Sequence, residues 1–218
     1  MIFSVAQIAS SAVILALAGS CGRNMLQTAN LFNKSTSTGT TLLPSHAYST
    51  PENTVEHLQS LKRRELLEVF SSSRVCSNLK DVEGEWNGIL LENNGMIMTG
   101  VSRIMTHGLF GKGRIWNGKA FGPGGVGRNR FFGRNDKSMT EFEHAFDFSV
   151  DSSQVQPDAE SILVLYSKYQ HPVSLWKTMV DEVRLLPGSD DVMIGLGSMA
   201  WSGGGLNGAP FCLWRVSK

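Results

Sequence analysis

Cysteine is scarce. Cys21, Cys76 and Cys212 are the three in 218 residues, and no two stand close enough for a CxxC half-site. Neither a disulfide framework nor a zinc centre is expected, although spacing alone leaves a Cys76–Cys212 pairing open in an oxidising lumen. A surplus of one charge is missing too. The 20 Lys and Arg balance 19 Asp and Glu to a net +1, which excludes the basic stripe of a non-specific nucleic-acid binder. No apolar run reaches the roughly 20 residues of a spanning helix. There is no GxSxG elbow for a hydrolytic serine. The glycine-rich stretch from Gly122 to Gly127 lacks the Lys and Ser/Thr that complete a phosphate loop, so it reads as a flexible connection or lid. No cofactor or metal is expected.

Carboxylates are absent from the first 51 residues, Glu52 being the first. The apolar run from Ala12 to Ala18, with Ala16 and Ala18 in A-x-A spacing before Gly19, reads as a signal peptide over residues 1–20. Residues 21–50 are acid-poor and hydroxyl-rich, as in a transit peptide, or else form a disordered spacer bearing the Asn33 glycosylation sequon. The pair resembles a bipartite plastid leader, with a secreted or endomembrane destination as the alternative. No integral span is expected once it is removed.

The leader gives way to a short helical segment over residues 51–83 and then to a domain over residues 84–218. Ser49 and Glu52 stand in capping-box spacing, and Val55, Leu58, Leu61, Leu66, Leu67 and Phe70 recur at helical intervals. Lys62, Arg63 and Arg64 read as a solvated face. From Gly84 onward lie 20 of the 23 glycines, punctuating runs rich in β-branched and aromatic residues. Eight such runs start near Glu85, Arg114, Arg128, Thr140, Ser161, Trp176, Val192 and Pro210, and Asn93–Gly95 supplies hairpin chemistry after the first. The clearest alternation puts Phe142, His144, Phe146 and Phe148 on one face of Thr140–Val150. Eight antiparallel strands suffice for a closed barrel that holds its own side chains or one small ligand.

Gly84, Trp86 and Gly88 spell GxWxG, and the chain closes on Phe211, Cys212, Leu213, Trp214 and Arg215. A Trp near the start and an Arg near the end resemble the calycin superfamily, the lipocalin and fatty-acid-binding barrels. That resemblance implies a guanidinium stacked on an indole at the closed end. Residues Glu65 to Val216 also resemble the GXWXG and DUF4334 domain family. The matching positions are Trp116, Gly118, Lys119 and Phe121, then Asn129 and Arg130, then Asp181 and Arg184, Gly195 and the closing aromatic strand. The chain departs from the family in its Gly122–Gly127 loop and in carrying Met179, Val180 and Asp181 where a His-Asp pair precedes the Arg.

Lys119 and Arg130 sit among aromatic strand residues. A cation pointing into an apolar barrel would await an anionic head group, whereas one at the rim would be solvated. The candidate ligand contacts are Trp86, Trp116, Lys119, Arg130, Phe142, Phe146 and Arg184. His144 and Asp181 are the candidate acid/base groups, His144 having a core histidine as its alternative. Asp181 and Arg184, three apart, belong on opposite faces of a regular strand, with Glu182 on Arg184's face.

The expected function is binding of a small, largely apolar ligand with an acidic or carbonyl end: a fatty acid or oxylipin, an isoprenoid or carotenoid fragment, or a tetrapyrrole. One alternative is a cofactor-free isomerase or cyclase acting on such a molecule. Another is an assembly factor for a membrane complex, whose signs would be an exposed apolar patch and a filled interior.

Overall fold

Alternating apolar and polar residues make each glycine-bounded run a strand with one greasy face, and eight such faces bury one another by curling into a tube. The computed structural model describes residues 19–32, 50–133, 136 and 138–216. The strands are β1 (Gly84–Leu90), β2 (Trp116–Phe121), β3 (Val126–Phe132), β4 (Thr140–Ser152), β5 (Glu160–Leu165), β6 (Met179–Leu185), β7 (Val192–Met199) and β8 (Ala209–Arg215). They pair antiparallel in sequence order, and β8 returns to β1, so the barrel is closed and mainly β as expected.

Helix α1 spans residues 19–32, followed by α2 (Pro51–Ser60), α3 (Arg63–Ser72) and α4 (Met96–Arg103). The spacer expected from residue 21 is therefore helical over 21–32. Its buried Asn24 donates to Asn93 Oδ1 at 3.1 Å, tying α1 to the end of β1. The rest of the expected leader, residues 1–18 and 33–49 with Ser49 and the Asn33 sequon, lies outside the described residues. Thr50 caps α2, accepting from Asn53 N–H at 3.2 Å.

Helices α2 and α3 pack on the outside of β7 and β8. There Leu58, Leu66, Phe70, Ile194 and Cys212 form a core separate from the one inside the barrel, which contains Trp86, Phe131, Phe146, Tyr166 and Phe211. Cys76 and Cys212 fall in different cores, and both are free thiols. Arg63 is not on a solvated face. It is 1% exposed and donates to Thr28 of α1 at 3.1 Å, and burial lowers its pKa to about 10 despite Glu92.

Two bulges decide which side chains face inward. In β2, Trp116 pairs with Phe131 and Gly118 with Arg130, leaving Asn117 as the extra residue. Trp116 and Lys119, three apart, thereby share the interior. In β4, Glu143 pairs with Asn129 and Ala145 with Arg128, so His144, at φ +51°, is the extra residue. The expected alternation breaks there: Phe146 and Phe148 point in, while Phe142 pairs with Arg130 on the outer face and is 43% exposed.

The β1–β2 connection is no hairpin. Gly95, at φ +94°, precedes α4, and Glu92 accepts from the N–H groups of Asn94 and Gly95, starting a helix that continues as a π-helical stretch to Phe110. Gly122–Gly127 is a tight turn closed by Gly122 N–H to Val126 O at 2.9 Å, and not a lid.

Candidate functional site: a cavity over a buried polar cluster

The GxWxG segment builds the floor. Trp86 is fully buried, its Nε1 donating to Val82 O at 2.8 Å, and the Arg215 guanidinium lies 4.3 Å from the indole centre. Arg215 also donates to Glu83 O at 3.2 Å and Asp81 O at 2.7 Å, closing that end with main-chain carbonyls. Gly88 sits where a Cβ would come within 2.7 Å of the Trp116 ring, so only glycine lets that indole lean across the lumen. Trp86 is thus a plug, not a ligand contact.

Above it is a cavity of about 360 Å³, apolar for most of its wall. Phe110, Trp116, Trp176, Phe211 and Trp201 supply its aromatic lining, and Met98, Met105 and Met199 fill in between them. Strands supply the lower wall. The upper wall comes from α4 and its π-helical extension, the β5–β6 and β7–β8 connections, and Cys21 of α1. A cavity this size is at the small end for ligand sites.

One wall is polar. Lys119, 2% exposed, places Nζ 2.7 Å from Asp181 Oδ2, 2.6 Å from the Tyr166 hydroxyl and 3.0 Å from Asn129 Oδ1. The Tyr166 hydroxyl donates to Asp181 Oδ2 at 2.9 Å, and Trp116 Nε1 donates to Asn129 Oδ1 at 3.1 Å. Burial pulls the Lys119 pKa down, with Asp181 opposing it; burial, then Asp181, push the Tyr166 phenol well above its ordinary value. All three ammonium protons have acceptors. The expected unpaired cation is therefore corrected: Lys119 does point inward, but Asp181 neutralises it.

What the cluster leaves open is an acceptor. Among the described residues, the hydrogen bonds to Asp181 all reach Oδ2. Oδ1 lies beside Gly197, where a Cβ would stand 3.0 Å from it, and both residues line the cavity. Ser198 donates to Val180 O, Ser102 to Met98 O, and Asn93 to Ser102, while Asn207, which also lines the cavity, donates to Ser202 O and leaves its own Oδ1 without a partner among the described residues.

The remaining candidates do not line the cavity. Arg130 points outward over Gly118, 3.2 Å from Glu85 and 3.2 Å from Asn87. Arg184 and Glu182 share the outer face of β6, as their spacing implied. Arg184 holds α3 through Phe70, whose ring centre is 4.5 Å away and whose carbonyl accepts at 3.3 Å, and it also donates to Ser161. Burial, against Glu182, lowers its pKa to about 10. His144 stacks on Phe110 at 4.1 Å, with Nε2 2.8 Å from the Phe110 carbonyl. Phe146 packs beneath the cavity, within 5.1 Å of Lys119 Nζ. Tyr166 and Asn129 were missed in the sequence. Asn129 beside Arg130 carried a signal through its motif position, but Tyr166 ends an ordinary apolar run.

No family model and no curated protein matches this chain. Among solved structures it is similar to a protein from Thermomonospora curvata, at 14% identity and a TM-score of 0.55, over 76% of this chain and 95% of that one. That likeness shows the fold alone. No helix among the described residues is long and apolar enough to cross a membrane.

Proposed function

We propose that this barrel binds one small apolar molecule carrying a hydroxyl group, which donates to Asp181 Oδ1 while its hydrocarbon part fills the aromatic and methionine-lined space. The observation that carries the reading is the polarity of the buried cluster. Its cation is already paired, so an anionic head group would meet no free positive charge and would face the open oxygen of a carboxylate. A hydroxyl meets its acceptor in a site screened from water, where hydrogen bonds to charged groups are strongest. Oxidised medium-chain lipids and small isoprenoid alcohols fit both the volume and the acceptor.

Kinship with the calycin barrels and the GXWXG and DUF4334 family is part of this proposal, supported by the Trp86–Arg215 stack and by Gly88 making room for Trp116. So is a plastid destination, which rests on the acid-poor composition of residues 1–50, of which 19–32 form helix α1 against the barrel. An isomerase on the same site would use Asp181 Oδ1 as its proton acceptor. His144 has no part in that reading, because its imidazole is stacked and bonded outside the cavity. An assembly factor fits less well, since the interior is hollow.

The test is displacement of N-phenyl-1-naphthylamine by 1-decanol or decanoate at about pH 8. Decanol should compete about tenfold better or more, the worth of one hydrogen bond to a charged group. Gly197→Ala, which sets a methyl against Asp181 Oδ1, should remove that advantage. Equal or stronger competition by decanoate, or no displacement at all, overturns the proposal.

A further inference from the structure

Helix α4 and the π-helical turn after it carry apolar side chains both toward the cavity and toward solvent. Met98 and Val101, with Met105 in the adjoining π-helical turn, line the cavity. Met96, Ile97 and Ile104 are 91%, 56% and 65% exposed. Large apolar side chains left exposed side by side mark an interaction surface. The neighbouring rim continues the pattern: Val173 and Leu175 between β5 and β6, Trp201 between β7 and β8, and Leu26 of α1 are all exposed. These segments surround one cavity mouth, and Trp201 both lines the cavity and faces solvent.

The same segments carry no carboxylate. Residues 19–32, 93–114, 166–180 and 192–216 contain no Asp or Glu, yet include Arg23, Arg103, Lys112, Lys168 and Lys177. Arg103 and Lys177 are exposed, and among the described residues neither has an ion pair. Carboxylates beside the rim are engaged, Asp147 with Lys168 among them. Glu92 accepts from the Arg63 N–H at the start of α3 and from the N–H groups of Asn94 and Gly95 before α4, and Glu141 and Glu143 hold Arg114 and Lys112 on the β3–β4 side. Asp136 stands apart in the β3–β4 turn, accepting from Ser138.

We infer that the cavity mouth is a docking face for an anionic lipid bilayer, with the outer side of α4 and Trp201 entering the interface and the cationic rim meeting the head groups. Exposed apolar side chains beside uncompensated Arg and Lys, with an interfacial Trp, are what such a surface requires. A protein partner of ordinary composition would be expected to answer this rim with carboxylates; a bilayer answers it with phosphates and offers hydrocarbon to α4. The orientation turns the cavity toward the bilayer, so an apolar ligand passes between them without crossing water. That last step rests on the proposed ligand reading; the docking itself does not.

The test is co-sedimentation of the ligand-free protein with vesicles of phosphatidylcholine containing roughly 30% phosphatidylglycerol, against phosphatidylcholine alone. Binding should be about tenfold or more stronger to the anionic vesicles and should fall as salt rises. Met96→Glu with Ile104→Glu, both exposed and neither lining the cavity, should abolish it, while naphthylamine binding, measured without vesicles, persists and separates this proposal from the previous one. Arg103→Gln with Lys177→Gln, remote from the fold's cores, should weaken binding while preserving the near-ultraviolet spectrum. Absence of anionic-vesicle binding, binding indifferent to both pairs of substitutions, or self-association through this face would overturn the inference.

Discussion

Lys119 on β2 and Asp181 on β6 meet across the barrel lumen at 2.7 Å, joining strands that are not neighbours in the sheet. The pair is nearly sealed, with side chains 2% and 7% exposed. Each charge has been stripped of water, and their mutual attraction offsets that cost only while both are present. Lys119→Met or Asp181→Leu alone should therefore destabilise the fold by about 3 to 5 kcal/mol, because each strands an unpaired ion. The double substitution should recover most of the loss. Urea unfolding of the four proteins measures the coupling; additive losses in the double variant would show that the pair is not a unit.

Gly118 makes that meeting possible. At φ +131° it comes directly after the β2 bulge, and a Cβ there would stand 1.9 Å from the Trp86 carbonyl oxygen. Backbone cannot yield as a flexible side chain can. Gly118→Ala should cost about 3 kcal/mol or more, combining left-region strain with a clash against β1. It should also loosen the Trp86 environment, visible as a change in near-ultraviolet dichroism.

The β-pattern and the glycine punctuation made the eight strands legible in the sequence, since burial on one face imposes period two whatever the rest of the chain does. Lys119 and Asp181 were legible as unusual charges. Their partnership was not, because Trp116 to Lys119 has the wrong parity for a shared face until Asn117 bulges out. The extra residue at His144 misled in the same way, turning Phe142 outward. A bulge inserts one residue without changing composition, so a periodicity argument has no handle on it. Helix α1 was hidden for a different reason: it is held by tertiary contacts such as Asn24 to Asn93, while its acid-free composition also fits a leader.

Arg184 belongs to the helix-docking face. Its guanidinium lies over Phe70 and donates to Ser161 Oγ at 2.9 Å and Gln156 Oε1 at 2.8 Å. Arg184→Ala should loosen α3 from the barrel and cost about 2 to 4 kcal/mol, since a buried, hydrogen-bonded and stacked group is lost and its acceptors are left unpaired. Affinity for the naphthylamine probe, measured where the variant is still folded, should hardly change. A large loss of affinity would return Arg184 to the ligand site.

His144 ties stability to pH. Burial against Phe110 is the main force lowering its pKa from 6.5, and the charges of Lys112 and Arg114 act the same way; the Phe110 carbonyl and Glu143 oppose them. Because the folded value lies below the unfolded one, the unfolded chain binds the extra proton first as pH falls. The stabilisation is complete above about pH 6.5 and is lost as pH drops through the folded value. His107, lowered by burial and by Arg103, adds a second loss of the same sign. His144→Asn removes one titration while keeping a residue that accepts φ +51°. Denaturation midpoints at about pH 7.5 and pH 5 should fall for both proteins, and by less for the variant, with His107 accounting for the remainder. An unchanged drop in His144→Asn would mean that the imidazole is no more reluctant to take a proton in the fold than in the unfolded chain.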